Sequence, residues 1–193
     1  MPTSPEFYRR HLPHWQPKGA VFFVTFRLKF SLPREVTARL HEQHSLRTGQ
    51  LTNGEAFANW DSFLDNEKSG PRWLARADVA AIVGDVIRVW DRQEYELYAY
   101  CIMPNHVHAV LEPLRREVCL SQIMRSVKGR TARAANKALC REGAFWQDET
   151  YDHVIRNNEE FVRIIAYVLN NPVKAGLVGQ WRDWPGTFCR DGL

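Results

Sequence analysis

The chain has little with which to staple or anchor itself. Its four cysteines, Cys101, Cys119, Cys140 and Cys189, form no C-x-x-C pair and keep no regular spacing. That excludes a zinc knuckle and a disulfide framework, and fits a reducing compartment. No stretch approaches the roughly 20 apolar residues of a membrane span, and the opening Met-Pro-Thr-Ser-Pro-Glu-Phe-Tyr-Arg-Arg lacks an apolar run of signal-peptide length. The expectation is a soluble, cytoplasmic protein with no membrane partner. Acid is scarce in one place. Between Arg115 and Arg141 the single Glu117 stands against eight bases, Arg115, Arg116, Arg125, Lys128, Arg130, Arg133, Lys137 and Arg141. The formal net charge is only +4, so positive potential is concentrated in that segment. A charged face is usually just solvated, but this imbalance favours contact with phosphate.

What is present suits one well-buried core: 193 residues, 45% hydrophobic and 12% aromatic. Residues 1–19 read as an irregular arm ending in the turn Gln16-Pro17-Lys18-Gly19. The β-branched and aromatic run Ala20 to Leu28 reads as a strand. Residues 31–70 change composition, with Gly49, Asn53-Gly54 and Ser69-Gly70 punctuating short helical stretches, and read as a helical insertion. A helix follows through Trp73, Val79, Val83, Ile87 and Trp90, with Asp78 a plausible N-cap. Tyr95 to Met103 and His106 to Leu111 read as two strands joined across Pro104-Asn105, since proline cannot donate to a ladder and belongs at the turn. Ser121 to about Leu139 reads as a helix with Ile123, Met124, Val127, Ala134, Ala138 and Leu139 inward and Arg125, Arg130, Arg133 and Lys137 outward. Tyr151 to Ile155 reads as a fourth strand. Asn157 or Asn158 caps a last helix that Pro172 ends, and a tail with Trp181 and Trp184 packs back. The order strand, helix, two strands, helix, strand, helix predicts an α+β fold with helices packed on an antiparallel sheet.

His106 and His108 lie one residue apart in a strand, so both imidazoles leave the same face. Such a pair often faces solvent, but it can also converge on one divalent ion. Two ligands do not hold a metal alone. An oxygen from Asn171, or from a substrate phosphate, would complete a site suited to Mg2+ or Mn2+ with open positions. Tyr167 sits at the edge of the apolar stripe Phe161, Ile164, Ile165, Val168, Leu169, with Asn171 at i+4. An edge tyrosine can equally be a packing residue. Metal pair, phenol and amide together suggest phosphoryl transfer to tyrosine, with the metal as Lewis acid and template. Tyr151 is the competing nucleophile, with Asp152 or His153 able to assist. Tyr167 is favoured because it alone has the asparagine at helical spacing.

Four ordered motifs together resemble a known family. Cys-Ile-Met-Pro-Asn-His-Val-His (Cys101 to His108), Ser-Val-Lys-Gly-Arg-Thr-Ala (Ser126 to Ala132), Phe-Trp-Gln with Tyr-Asp-His-Val-Ile-Arg, and Tyr-Val-Leu-Asn-Asn-Pro-Val-Lys-Ala-Gly-Leu-Val (Tyr167 to Val178) are similar to those of the REP-associated tyrosine transposases, in the single-tyrosine branch of the HUH nucleases. The similarity spans residues 20–30 and 72 to about 187. The resemblance implies a ferredoxin-like antiparallel sheet; the chain is expected to form a single domain over 1–193 with a C-terminal tail at 173–193, and its helical insertion at 31–70 departs from the family pattern. It implies His106 and His108 as the metal pair, Asn171 in the place of a third ligand and Tyr167 as nucleophile. It further implies cleavage and transfer of single-stranded DNA at repetitive extragenic palindrome hairpins, through a 5′-phosphotyrosine with a free 3′-hydroxyl. Arg125, Lys128, Arg130, Arg133 and Lys137 are the expected DNA contacts. The enzyme would act as monomer or homodimer, on the nucleoid when bound to DNA. The alternatives are a hairpin-binding regulator without turnover and a metal phosphohydrolase using water.

Overall fold

The computed structural model of the chain describes residues 7–9, 13–33, 35–36, 64, 70–115 and 117–193. The helical insertion expected at 31–70 lies almost wholly outside the described residues. The N-terminal arm is more regular than its composition suggests: β1 (Phe7–Arg9) and β2 (Pro13–Trp15) pair as a small antiparallel ladder. Next come β3 (Val21–Arg27), α1 (Ala77–Val89), β4 (Tyr95–Ile102), β5 (His106–Pro113), α2 (Leu120–Ala138), β6 (Tyr151–Ile155), α3 (Asn158–Lys174) and β7 (Thr187–Cys189).

The main sheet has five strands in the order β6-β3-β5-β4-β7, every neighbour antiparallel. From β3 to β6 this is the ferredoxin-like arrangement expected. The addition is β7, three residues long, which extends the sheet beside β4. Its brevity and single aromatic left no alternation to read. Trp184 Nε1 donates to the Ile102 carbonyl at 2.8 Å, so the tail does pack back, as a strand and its anchor.

Both faces of the sheet are covered, which is why β3 reads as an almost continuous apolar run rather than a clean alternation. On one face Phe22, Val24 and Phe26 of β3 and Val107, Ala109 and Leu111 of β5 pack with Val79, Val83 and Ile87 of α1 and Ile123, Met124 and Val127 of α2. On the other, Phe23, Val110, Ala99 and Cys101 pack beneath Ile165, Val168 and Leu169 of α3. A register shift between Leu97 and Ala99 lets Tyr95 and Leu97, then Tyr100 and Ile102, serve the first face despite the change of parity.

Three local expectations need correction. Asp78 is not the cap of α1: Arg76 holds that position, and Asp78 lies in the first turn, its carboxylate 2.6 Å from the Arg76 guanidinium. On α2 the buried positions are Leu120, Ile123, Met124, Val127, Thr131 and Ala135, so the inward stripe runs through Thr131 and Ala135, with Ala134 and Ala138 half-buried beside it. Pro172 does not end α3. Pro172 has no N–H to give, yet the Ala175 amide still donates to the Asn171 carbonyl and Leu177 to Pro172, and the helix closes at Gly176 with φ +68°. So near the C-terminus a proline forfeits one bond without forcing a stop, and the left-handed glycine is the terminator.

Among the described residues no helix is long and apolar enough to cross a membrane.

Candidate active site

The site forms on the sheet face beneath α3. β5 begins at His106, and strand alternation sends His106 and His108 to the same side as Val110, which packs with α3. Across the ladder His106 pairs with Arg27 and His108 with Thr25 of β3, and on its other side His108 pairs with Cys101. Both imidazoles are fully buried (0% exposed).

Their hydrogen bonds fix ring orientation. Asn105 donates from Nδ2 to the Leu64 carbonyl at 2.9 Å, which turns its Oδ1 toward His106 Nδ1 at 2.6 Å. Facing a carbonyl oxygen, Nδ1 carries the proton, and Nε2 of neutral His106 presents a lone pair. The Nε2 of His108 lies 2.9 Å from it, and Thr25 Oγ1 lies 2.7 Å from His108 Nδ1. In this arrangement His108 donates from Nε2 and Thr25 donates to Nδ1. A hydroxyl can also accept, so Thr25 supports the other tautomer equally well, in which both Nε2 lone pairs converge. Leu64 falls within the expected insertion, so its backbone is part of what holds Asn105.

Tyr167 approaches from α3. Asn157 caps that helix by accepting from the Glu160 amide at 2.8 Å. Two and a half turns on, the partly exposed Tyr167 ring stands edge-on to His108 with centroids 5.9 Å apart, and edge-on to Phe23 at 6.1 Å. Phe23 in turn stacks on His108 at 5.6 Å. Lys174 Nζ lies 5.5 Å from the Tyr167 ring centre. Asn171, one turn beyond Tyr167, is fully buried (0% exposed). Tyr151 also belongs to this face: it pairs with Thr25 across β3 and β6, and its ring meets Phe23 at 6.3 Å. Burial pushes its phenol above the ordinary tyrosine range, with Asp152 and Glu160 adding to the effect. That makes its phenolate harder to form.

The two Nε2 atoms, 2.9 Å apart, are close enough for one ion to reach both at the usual N-to-metal distance of about 2.0–2.1 Å. The described residues contain no group of three or more His, Cys, Asp or Glu able to hold a metal. The Asn171 side chain, one helical turn beyond Tyr167, carries an amide oxygen of the kind that can serve as a further donor. The donor set fits a divalent ion with positions left open for substrate.

The basic residues of α2 do not form one surface, and α2 packs on the face opposite the histidines. Arg125 and Lys128 line a groove of about 500 Å³ with Met124, Trp146, Glu149 and Asp152. Within it Lys128 Nζ donates to the carbonyls of Gln147 and Asp148 at 2.6 and 2.9 Å, holding the loop before β6. Arg130 lies over the Trp90 ring at 4.8 Å and lines a separate, smaller cavity. Arg133 and Lys137 are exposed.

Sequence reasoning did not single out Thr25, Arg27, Asn105 or Phe23. A signal existed for two of them: Thr25 and Arg27 are polar residues at alternate positions in an otherwise apolar strand. Asn105 was read only as a turn residue.

With this geometry in place, known proteins can be compared. The family model described as "Transposase IS200 like" matches residues 75–171, the stretch from α1 through the His pair and Tyr167 to Asn171. A relative named REP-associated tyrosine transposase, from Escherichia coli (strain K12), is 31% identical over 107 residues, covering 55% of this chain and 62% of the relative. The chain thus spans less than two thirds of that protein's length. A solved structure described as the REP-associated tyrosine transposase bound to a REP hairpin superposes with a TM-score of 0.57 at 21% identity, over 93% of this chain and 80% of that one. At that identity the likeness concerns the fold.

Proposed function

This chain belongs to the IS200-like transposase family, and on that premise we propose that it cleaves and transfers single-stranded DNA beside repetitive extragenic palindrome hairpins, with Tyr167 as nucleophile. The observation that carries this reading is the partly exposed Tyr167 ring 5.9 Å from the ring of buried His108. The phenol and the imidazole ring it faces lie together within one chain.

In the reaction the Tyr167 oxygen bonds to phosphorus and the phosphorus–O3′ bond breaks. The phenol loses its proton, and the departing 3′ oxygen takes one up. The product is a 5′-phosphotyrosine beside a free 3′-hydroxyl, and attack by another 3′-hydroxyl reverses the exchange and joins strands. His106 and His108, with Asn171, would hold a divalent ion that supplies Lewis-acid polarisation of the phosphate and charge neutralisation. Because imidazole suits transition metals better than magnesium, manganese is the ion to test first. Asn105 and Thr25 hold the imidazoles in a fixed orientation, Phe23 walls the phenol against His108, and Arg125, on the groove it shares with Lys128, draws in the strand. Tyr167 is preferred over Tyr151 because it stands edge-on to His108, whereas burial pushes the Tyr151 phenol up and makes its phenolate harder to form.

The test incubates hairpin DNA labelled at its 3′ end with the protein and Mn2+ or Mg2+, then denatures. Wild type and Tyr151→Phe should retain label on the protein, whereas Tyr167→Phe should not. Adduct lost only in Tyr151→Phe transfers the role to that residue. Cleavage without any adduct supports a hydrolase using water, and tight hairpin binding without cleavage supports a regulator.

A further inference from the structure

Arg27 has no part in the scheme above, yet it is the one lysine or arginine among the described residues that is buried, at 6% exposed. It closes β3 directly opposite His106. Paired residues of an antiparallel ladder project to the same side, so its side chain leaves the α3 face beside the catalytic pair, two positions from Thr25. Its Nη1 donates to Ser31 Oγ at 3.1 Å. Desolvation lowers its pKa to about 10, while the charge of Glu149 works in the other direction, so it stays cationic at neutral pH.

A buried guanidinium is a poor way to stabilise a core, since hydrocarbon of similar volume does as well or better. It is a good way to bind a phosphate, because its planar fork matches two oxygens at once. Glu149 connects Arg27 to the surface. It lies two residues before Tyr151, whose ladder partner is Thr25, and it lines the groove that Arg125 and Lys128 also line. Glu149 is thus a lining residue of the cationic groove whose charge also reaches the buried guanidinium.

We propose that Arg27 receives a non-bridging oxygen of the reacting phosphodiester, and that Glu149 is the acidic stand-in that occupies its field until the DNA strand displaces it. This rests on the function proposed above. The exchange replaces one anion by another at a guanidinium already ordered by Ser31, so the arginine needs no reorientation to meet the phosphate. It also makes Glu149 a repulsive element against any strand not seated deeply enough to push it aside.

The experiment is a cycle between protein and DNA, read as binding in EDTA so that nothing is cleaved. One oligonucleotide carries the natural phosphate at the cleaved linkage, and the other a neutral methylphosphonate there. In wild type, neutralising that linkage should weaken binding about tenfold, as expected for loss of a charge-assisted contact. In Arg27→Gln the natural DNA should bind about tenfold more weakly, and the methylphosphonate should cost nothing further. Glu149→Gln should tighten natural DNA several-fold and leave methylphosphonate DNA unchanged. This second variant decides the matter if Arg27→Gln does not fold. Full, additive loss in Arg27→Gln, or equal effects of Glu149→Gln on both DNAs, overturns the proposal. If wild type forms the tyrosyl adduct and the cycle is additive, only the role of Arg27 falls. If wild type forms no adduct with any hairpin, the proposed function falls and takes this role with it.

Discussion

The two faces of the central sheet are built from the same strands to different ends. On β3, Phe22, Val24 and Phe26 point toward α1 and α2 into a largely apolar cluster, while Phe23, Thr25 and Arg27 point toward α3. On β5, Val107 and Ala109 alternate with His106 and His108 in the same way. One face packs; the other buries polar groups that must satisfy one another. Asn105 on His106, His106 on His108 and His108 on Thr25 form a chain of hydrogen bonds out of water's reach. Low polarity makes each bond stronger and each missing partner more damaging. The α1 and α2 face supplies the rigidity that lets the α3 face hold imidazoles in a fixed direction instead of optimising its own stability.

Truncation on each face should therefore give opposite signatures. Phe26 is 2% exposed and edge-on to Trp146 at 4.8 Å. Phe26→Ala should lower unfolding free energy by about 3–5 kcal/mol, read by urea denaturation, while adduct formed per folded molecule stays near wild type. Tyr167→Phe should do the reverse, with no adduct and an unfolding free energy within about 1 kcal/mol of wild type. A large stability loss in Tyr167→Phe would mean that the phenol is part of the core, and the contrast between the faces would collapse.

Thr25→Val sharpens the comparison, because it keeps the shape of a residue on the α3 face and removes only the hydroxyl that His108 Nδ1 meets at 2.7 Å. The imidazole is left with a buried nitrogen to satisfy, at a cost of about 1–3 kcal/mol. Its orientation is no longer fixed, and Mn2+ affinity should fall about 10–100-fold, as for loss of other outer partners of metal-binding histidines. Titration followed by the electron paramagnetic signal of free Mn2+ measures this directly. Unchanged affinity would show that Phe23 stacking alone orients the ring.

The same contrast explains what could be read without coordinates. His106 with His108, and Tyr167 with Asn171, are legible because each pair is set by the local period of one element, two in a strand and about four on a helix. The order of strands and helices followed from similar periodicity. The partners of these residues were not legible, because they depend on register between strands far apart in sequence: Arg27 opposite His106, and Tyr151 opposite Thr25. Asn105 looked like turn punctuation because its role depends on a carbonyl at Leu64, 41 residues away. Pro172 misled for a different reason. The helix continues past it because the bonds beyond it do not need its missing N–H, and Gly176 carries the stop. Arg125, Arg130, Arg133 and Lys137 read as one outward face, but the structure puts Arg125 on one groove and Arg130 on a separate cavity.

The smallest effect expected lies where the two kinds of construction meet, at the start of α3. Glu160 accepts from the Arg156 amide at 2.8 Å and contacts His153 Nε2 at 2.8 Å, with the Arg163 guanidinium 3.9 Å away. Burial pushes its carboxyl up, but the Arg156 amide and His153 outweigh this and hold it below the ordinary carboxylate value of 4.5. A carboxyl with a lowered folded pKa binds fewer protons in the native state than in the unfolded one. Its contribution is therefore complete above pH 4.5 and is lost as the pH falls through the folded value. Glu160→Gln should cost only about 0.5–1 kcal/mol at neutral pH, since part of the interaction is screened by solvent. The gap between wild type and variant should close as denaturation is repeated at successively lower pH. A gap that persists undiminished in acid would show that Glu160 stabilises α3 by packing alone. The orientation of Tyr167, carried on the same helix, would then owe nothing to charge at its N-terminus.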